Sequence, residues 1–305
     1  MIQRLLPFAT LIVLFVILLF DQNFRSETNL FSVIRQTAVI NIMALGMTMV
    51  IITAGIDLSV GSILAMGGLL GTMAMAQGQP ILVGVLVGIL TGALCGFVNG
   101  YLITRLKINA FIVTLGTLGI IRGLTLVISN GLPVHQIPPG FSFLGEGIIL
   151  GVPFVLWVLL ICALLVHFLL EHTKLGRYSF AIGSNPDAAF YAGIPVAFHL
   201  TCVYAICGAL TGLAGMIEAS RLMTGQPTAG NGYELQAIAA VVIGGGSLRG
   251  GEGSVVGTLV GAFIMGLLSN GSDLKGISPY WQQVIIGTII ILAVSFDELR
   301  KRRVV

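Results

Sequence analysis

Ile81-Leu-Val-Gly-Val-Leu-Val-Gly-Ile-Leu-Thr-Gly-Ala-Leu-Cys-Gly-Phe-Val-Asn-Gly-Tyr-Leu-Ile103 runs for twenty-three residues without a charged side chain. A helix rises about 1.5 Å per residue and the hydrocarbon core of a bilayer is roughly 30 Å thick, so about twenty apolar residues make one crossing. This stretch is long enough to span. Its glycines stand at 84, 88, 92, 96 and 100, a four-residue repeat that lines one helix face. Gly at that spacing lets a second backbone approach closely where lipid supplies no hydrophobic driving force.

Working outward, the same apolar character recurs along all 305 residues, of which 56% are hydrophobic and only 9% charged. Ordinary soluble domains carry about a quarter charged residues. The mean hydropathy of +1.02 places the chain in the membrane class. Spans are predicted at 5–20, 32–53, 61–76, 81–103, 110–129, 152–170, 198–219, 235–247, 255–269 and 280–296. The expected fold is all-α, a polytopic bundle of about ten transmembrane helices forming one transmembrane domain over 1–305. Gly257-x3-Gly261 repeats the close-packing spacing late in the chain.

Lys and Arg accumulate on the cytoplasmic side of short loops. With the N-terminus inside, the cytoplasmic set is Arg4, Arg105, Lys107, Lys174, Arg177, Arg249, Arg300, Lys301, Arg302 and Arg303. The outer set is Arg25, Arg35, Arg221 and Lys275, with Arg122 inside a span. Both termini are therefore expected in the cytoplasm. The basic C-terminus reads as an anchor at anionic lipid rather than a nucleic-acid patch. No small-x-small cleavage pattern follows Phe20, so the first span reads as a retained helix. Cys95, Cys162, Cys202 and Cys207 fall in apolar spans without metal spacing and read as packing residues, and the four histidines form no catalytic or metal signature.

One polar island interrupts the apolar runs, Gly183-Ser-Asn-Pro-Asp-Ala-Ala-Phe-Tyr-Ala-Gly193, inside a cytoplasmic segment 172–198. Asn185 can cap a helix with Pro186 in its first turn, where a missing N–H costs nothing, and Asp187 near the positive dipole end. Gly193 would stop it. Ala188 and Ala189 leave a shallow face beside Phe190 and Tyr191, suited to a groove on a partner. A capped surface turn without a partner is the plain alternative.

Charges inside spans are costly and tend to face cavities. Asp57 lies in Gly55-Ile-Asp-Leu-Ser-Val-Gly61, where the glycines Gly55 and Gly61 permit a break and Ser59 can cap the next helix. Either this is a discontinuous helix at a pathway, or it is a capped loop at the cytoplasmic end of two helices. Gly251-Glu-Gly-Ser-Val255 echoes it, with Glu252 for Asp57 and Ser254 for Ser59, which suggests an internal duplication. Arg122 either snorkels outward, the reading preferred from sequence, or pairs within the bundle. Glu218, Arg221, Gln226, Tyr233, Glu234 and Gln236 are expected to surround the outer mouth, as sugar contacts or as a solvated loop with a local ion pair.

Several of these stretches resemble a known family. Asp187-Ala-Ala-Phe-Tyr-Ala-Gly193 resembles the EAA-x-x-x-G coupling motif of ABC importer permeases, with Asp for Glu and without the Ile-x-Leu-Pro that often follows. Ala44-Leu-Gly-Met-Thr-Met-Val-Ile-Ile-Thr-Ala-Gly-Ile-Asp-Leu-Ser-Val-Gly-Ser62, Leu175-Gly-Arg-Tyr178, Gln226-Pro-Thr-Ala-Gly-Asn-Gly-Tyr-Glu-Leu235 and Ile238-Ala-Ala-Val-Val-Ile-Gly-Gly245 are similar to the ribose-type sugar permeases. The likeness covers the chain from about residue 30 onward, apart from the loop 132–151. It implies a permease subunit in a bacterial inner membrane, paired with a second permease, identical or related. A cytoplasmic ABC ATPase and a periplasmic sugar-binding protein would complete the assembly. Gly183, Asn185, Asp187, Ala188, Ala189 and Gly193 would then couple to the ATPase.

The chain has no G-x-x-x-x-G-K-[ST], so ATP and Mg²⁺ are expected on the partner ATPase, with no cofactor, metal or catalytic residue here. Asp57, Ser59, Gly61, Arg122, Glu218, Gln226, Glu234, Gln236 and Glu252 are the candidates for pathway or hinge. A proton-coupled secondary transporter using Asp57, Glu218 and Glu252 is the rival reading.

Overall fold

A computed structural model describes the backbone of residues 2–302, and thirteen α-helices are found among them. The long ones are α1 (Ile2–Leu18), α2 (Glu27–Ile52), α3 (Val60–Ala76), α4 (Ile81–Leu106) and α5 (Ala110–Ser129). A one-turn helix α6 (Phe143–Glu146) and a minimal antiparallel hairpin, β1 (Ile148–Ile149) with β2 (Val152–Pro153), lead into α7 (Phe154–His172). Two short helices, α8 (Lys174–Ser184) and α9 (Pro186–Tyr191), precede α10 (Val196–Leu222), α11 (Tyr233–Ile243), α12 (Val255–Leu274) and α13 (Pro279–Arg302).

Each of the ten predicted spans falls on a helix. Six helices among the described residues are long and apolar enough to cross a bilayer unaided: α2, α4, α5, α7, α10 and α12. Arg303, and the side chains of Arg4, Arg300, Lys301 and Arg302, on which the terminal charge reading rests, lie outside the described residues.

The centre of the bundle is α2, whose residues from Thr37 to Ile52 are all buried beneath α7, α10, α11 and α12. Against it lies α10, which packs most closely on α4 through the glycine ladder. Gly92 meets the backbone of Gly208 and Gly212, and Gly88 meets Gly212, so side chains at these positions would hold the helices apart. The outward faces of α4 and α7 present Leu82, Leu86, Leu90, Leu94, Ile161, Leu164 and Phe168. A soluble protein would bury such surface; a bilayer solvates it.

Candidate functional site

The polar island folds as its capping chemistry demands. The Asn185 side chain accepts from the Ala188 amide at 2.9 Å, Pro186 opens α9, and Gly193 ends it at φ +82°. Asp187 and Ala188 are exposed while Ala189 is buried and anchors the turn. Phe190 and Tyr191 are 66% and 86% exposed, with their rings edge to face at 5.7 Å. Two neighbouring aromatic rings thus stand off the bundle on a rigid turn.

Before α9, α8 was not foreseen as a helix. Its buried positions, Gly176, Ser179, Ile182 and Gly183, follow the helical period and were a readable signal. Gly183 sits on the Ile52 carbonyl at the end of α2, and a Cβ there would lie 2.6 Å from the Gly251 amide nitrogen. That amide in turn donates to Ile52 O at 2.9 Å. A Cβ on Gly250 would lie 2.7 Å from both the Ala54 Cβ and the Gly183 carbonyl. The island, the end of α2 and the turn before α12 therefore meet backbone to backbone. No flexible side chain intervenes at this junction.

Beyond Ile52 the chain breaks, with Ala54 at φ +61°. Asp57 is fully buried; its Oδ1 accepts from the Ser59 amide at 2.9 Å and the Ser59 hydroxyl at 2.6 Å. Asn99 of α4 donates to the same hydroxyl at 2.8 Å. This corrects the expected role of Ser59: it makes no side-chain cap on α3, because its hydroxyl is committed to Asp57. Ser254 does cap its helix, accepting from Gly257 N at 3.1 Å, and Glu252 is exposed where Asp57 is buried. The two echoing segments occupy similar places before α3 and α12 with different chemistry.

The segment between α10 and α11 is irregular. At its start Gly225 pairs with Val134 in both directions, at 2.9 and 3.0 Å, and abuts Thr72 of α3. Near its end, a Cβ on Gly230 would lie 2.6 Å from the Gly61 carbonyl. Thr72 and Gly61 are eleven positions apart on α3, about 16 Å along the axis. The chain therefore descends alongside an apolar span without being a helix.

Arg122 of α5 holds this segment. Its Nη1 donates to Pro227 O at 2.8 Å and its Nη2 to Gly61 O at 3.2 Å, so the guanidinium turns into the bundle instead of snorkelling. The reason is the Pro227 carbonyl that a non-helical backbone leaves open, with Gly61 in the first turn of α3 as a second acceptor. Glu234, in the first turn of α11, also lies against Gly61. Gln226 bonds Thr228 at 2.9 Å, and Gln236 lies two positions beyond Glu234 on α11.

The expected ring at the outer mouth is thus two separate groups. Glu218 pairs with Arg221 at 2.8 Å and accepts from the Tyr233 hydroxyl at 3.3 Å. Glu234 lies deeper, beside the start of α3. Asp57, Glu218 and Glu252 stand in three different settings, buried, ion-paired and exposed.

A family model described as the permease component of a branched-chain amino acid transport system matches residues 29–294. The chain belongs to this permease family. It is 44% identical over 297 residues to the ribose import permease of Escherichia coli K12, covering 96% of this chain and 92% of that one. The ribose import permease of Bacillus subtilis 168 is also 44% identical, with 97% and 92% covered. The D-allose permease of Escherichia coli K12 is 37% identical, with 90% and 85% covered. No solved structure matches.

The end of the bundle that carries the loop 132–151 is fastened by contacts that the sequence did not single out. Ser220 on α10 donates to Phe141 O at 2.5 Å and accepts from Gly145 N at 2.8 Å. Arg35 of α2 pairs with the Glu146 carboxylate at 2.6 Å and donates to its carbonyl at 2.8 Å. Phe141 is fully buried against Met75 and Met216. The loop 132–151 is consequently a fixed cap joining α2, α3 and α10.

Proposed function

We propose that this permease is the membrane subunit of an ATP-driven importer of ribose or a closely related monosaccharide. In this reading two permease subunits line one pathway in a bacterial inner membrane, with both termini of this chain and the helix α9 in the cytoplasm. A separate ATPase pair binds ATP and Mg²⁺, and an external sugar-binding protein delivers cargo. The observation that carries it is the exposed pair Phe190 and Tyr191 on a capped turn, joined rigidly through Gly183 to Ile52 and Gly251. Such a handle suits a partner that pulls. The identity to ribose permeases supports the cargo class.

ATPase closure would draw α9 and α8 inward, and the backbone contacts at Ile52 would tilt α2 and the turn before α12 together. Asn185, Asp187, Ala188, Ala189 and Gly193 shape the handle. Asp57, Ser59, Gly61 and Glu252 belong to the two hinge turns; Arg122, Glu218, Gln226, Glu234 and Gln236 belong to the wall and its supports. Reconstitution with the ATPase and binding protein in proteoliposomes tests this. Ribose should accumulate with ATP and be unaffected by a proton ionophore, and deleting residues 185–192 should abolish ATPase binding. Concentrative uptake by this chain alone on an ion gradient would overturn it.

A further inference from the structure

The irregular segment 225–232 poses a solvation problem. It lies along the apolar helix α3 between Thr72 and Gly61, and its Thr228 and Asn231 are exposed on the surface of the subunit. The amides of these two residues meet no acceptor among the described residues. Non-helical backbone is not tolerated against lipid, since its polar groups would go unpaired; it occurs only within protein or beside water. Lipid is therefore excluded as the neighbour of this face.

Its composition favours water over a protein partner. Thr228 presents a hydroxyl, which accepts from Gln226 at 2.9 Å and keeps its own proton to donate, and Asn231 a side-chain amide; with their backbone N–H groups these match the donors and acceptors of a neutral polyol. Nearby charges are kept off the face: Arg122 is spent on Pro227 and Gly61, and Glu234 rests on Gly61. A neutral cargo would meet hydrogen-bonding groups without a strong fixed charge, so it could be held weakly and passed on.

We propose that segment 225–232 is the wall of the pathway at membrane depth, and that Thr228 and Asn231 exchange hydrogen bonds with sugar hydroxyls in transit. The cargo in this statement rests on the importer reading; the wall does not. Arg122 is the positioning residue behind it.

The test uses Thr228→Cys and Asn231→Cys in the full assembly, probed with a charged, membrane-impermeant methanethiosulfonate against wild-type background. Leu164→Cys on α7 is the lipid-facing control. Because a charged reagent enters hydrocarbon poorly, the two thiols should react roughly a hundredfold faster than the control in at least one nucleotide state. Saturating ribose should slow them. Reaction no faster than the control in every state would mean burial against the second subunit and would overturn the wall.

Thr228→Val and Asn231→Leu supply the second readout. Each should lower ribose uptake about tenfold through a lost hydrogen bond, while binding-protein-stimulated ATP hydrolysis persists. Unchanged uptake in both variants would overturn the sugar contact. If wild-type assemblies accumulate no ribose, allose or arabinose, the importer reading fails and with it the cargo, whereas fast labelling would still establish the wall.

Discussion

The Gly251 amide donates to the Ile52 carbonyl at 2.9 Å, and Gly183 packs against that same carbonyl. Three segments far apart in sequence thereby share one backbone oxygen. At this junction α8, the end of α2 and the turn before α12 are in direct backbone contact.

Gly183→Ala should damage coupling more than folding. The added Cβ would strike the backbone of Ile52, which cannot rotate away as a side chain could. Overpacking of this kind costs about 1–3 kcal/mol. We expect a lowered thermal midpoint in detergent, and ATP hydrolysis that no longer drives proportional uptake in proteoliposomes. Normal uptake per ATP would show that the junction does not transmit the stroke.

The handle separates stability from recognition. Asn185→Ala removes the cap on Ala188 and should weaken the local turn by about 1 kcal/mol. Phe190→Ser with Tyr191→Ser removes two exposed rings and should leave the thermal midpoint of the isolated permease unchanged. Co-purification of the ATPase should nevertheless be lost. Retention of the ATPase by the double variant would place docking elsewhere.

Arg122→Met should strand the carbonyl of Pro227, and it removes the second donor from Gly61, whose carbonyl keeps its place in the α3 ladder. Leaving a buried acceptor without a donor costs about 1–3 kcal/mol. Arg122→Lys should recover only part, since one ammonium lacks the planar fork that reaches both oxygens. Equal thermal midpoints for all three proteins would contradict this bridging role.

Glu218 and Arg221 should behave as a coupled pair. Arg221→Met leaves the Glu218 carboxylate largely desolvated without its partner, a loss of about 3 kcal/mol. Removing both charges with Glu218→Gln should restore much of it. A double-variant cycle in thermal unfolding measures the coupling, and strict additivity would mean that the 2.8 Å contact contributes nothing.

How far these features could be read in advance depended on the range of the interactions. The cap at Asn185 and the stop at Gly193 act within a few residues, and the helix they define ended at Tyr191, one position short of expectation. Ser59 looked equally able to cap, yet its hydroxyl is held by Asp57 and Asn99, and Asn99 is forty positions away. Arg122 looked able to snorkel because the carbonyls that hold it come from residues 61 and 227.

Apolar run length and charge density by themselves established a many-helix membrane protein, because the bilayer solves the folding problem one span at a time. The four-residue glycine spacing foretold close packing, and its partner, the α10 backbone at Gly208 and Gly212, emerged only in three dimensions. Depth was likewise decided by tertiary structure. Gln226 and Glu234 are eight positions apart in sequence, yet the irregular segment between them runs along α3 from Thr72 to Gly61. Contacts between distant segments set that course, and no local pattern of residues encodes them.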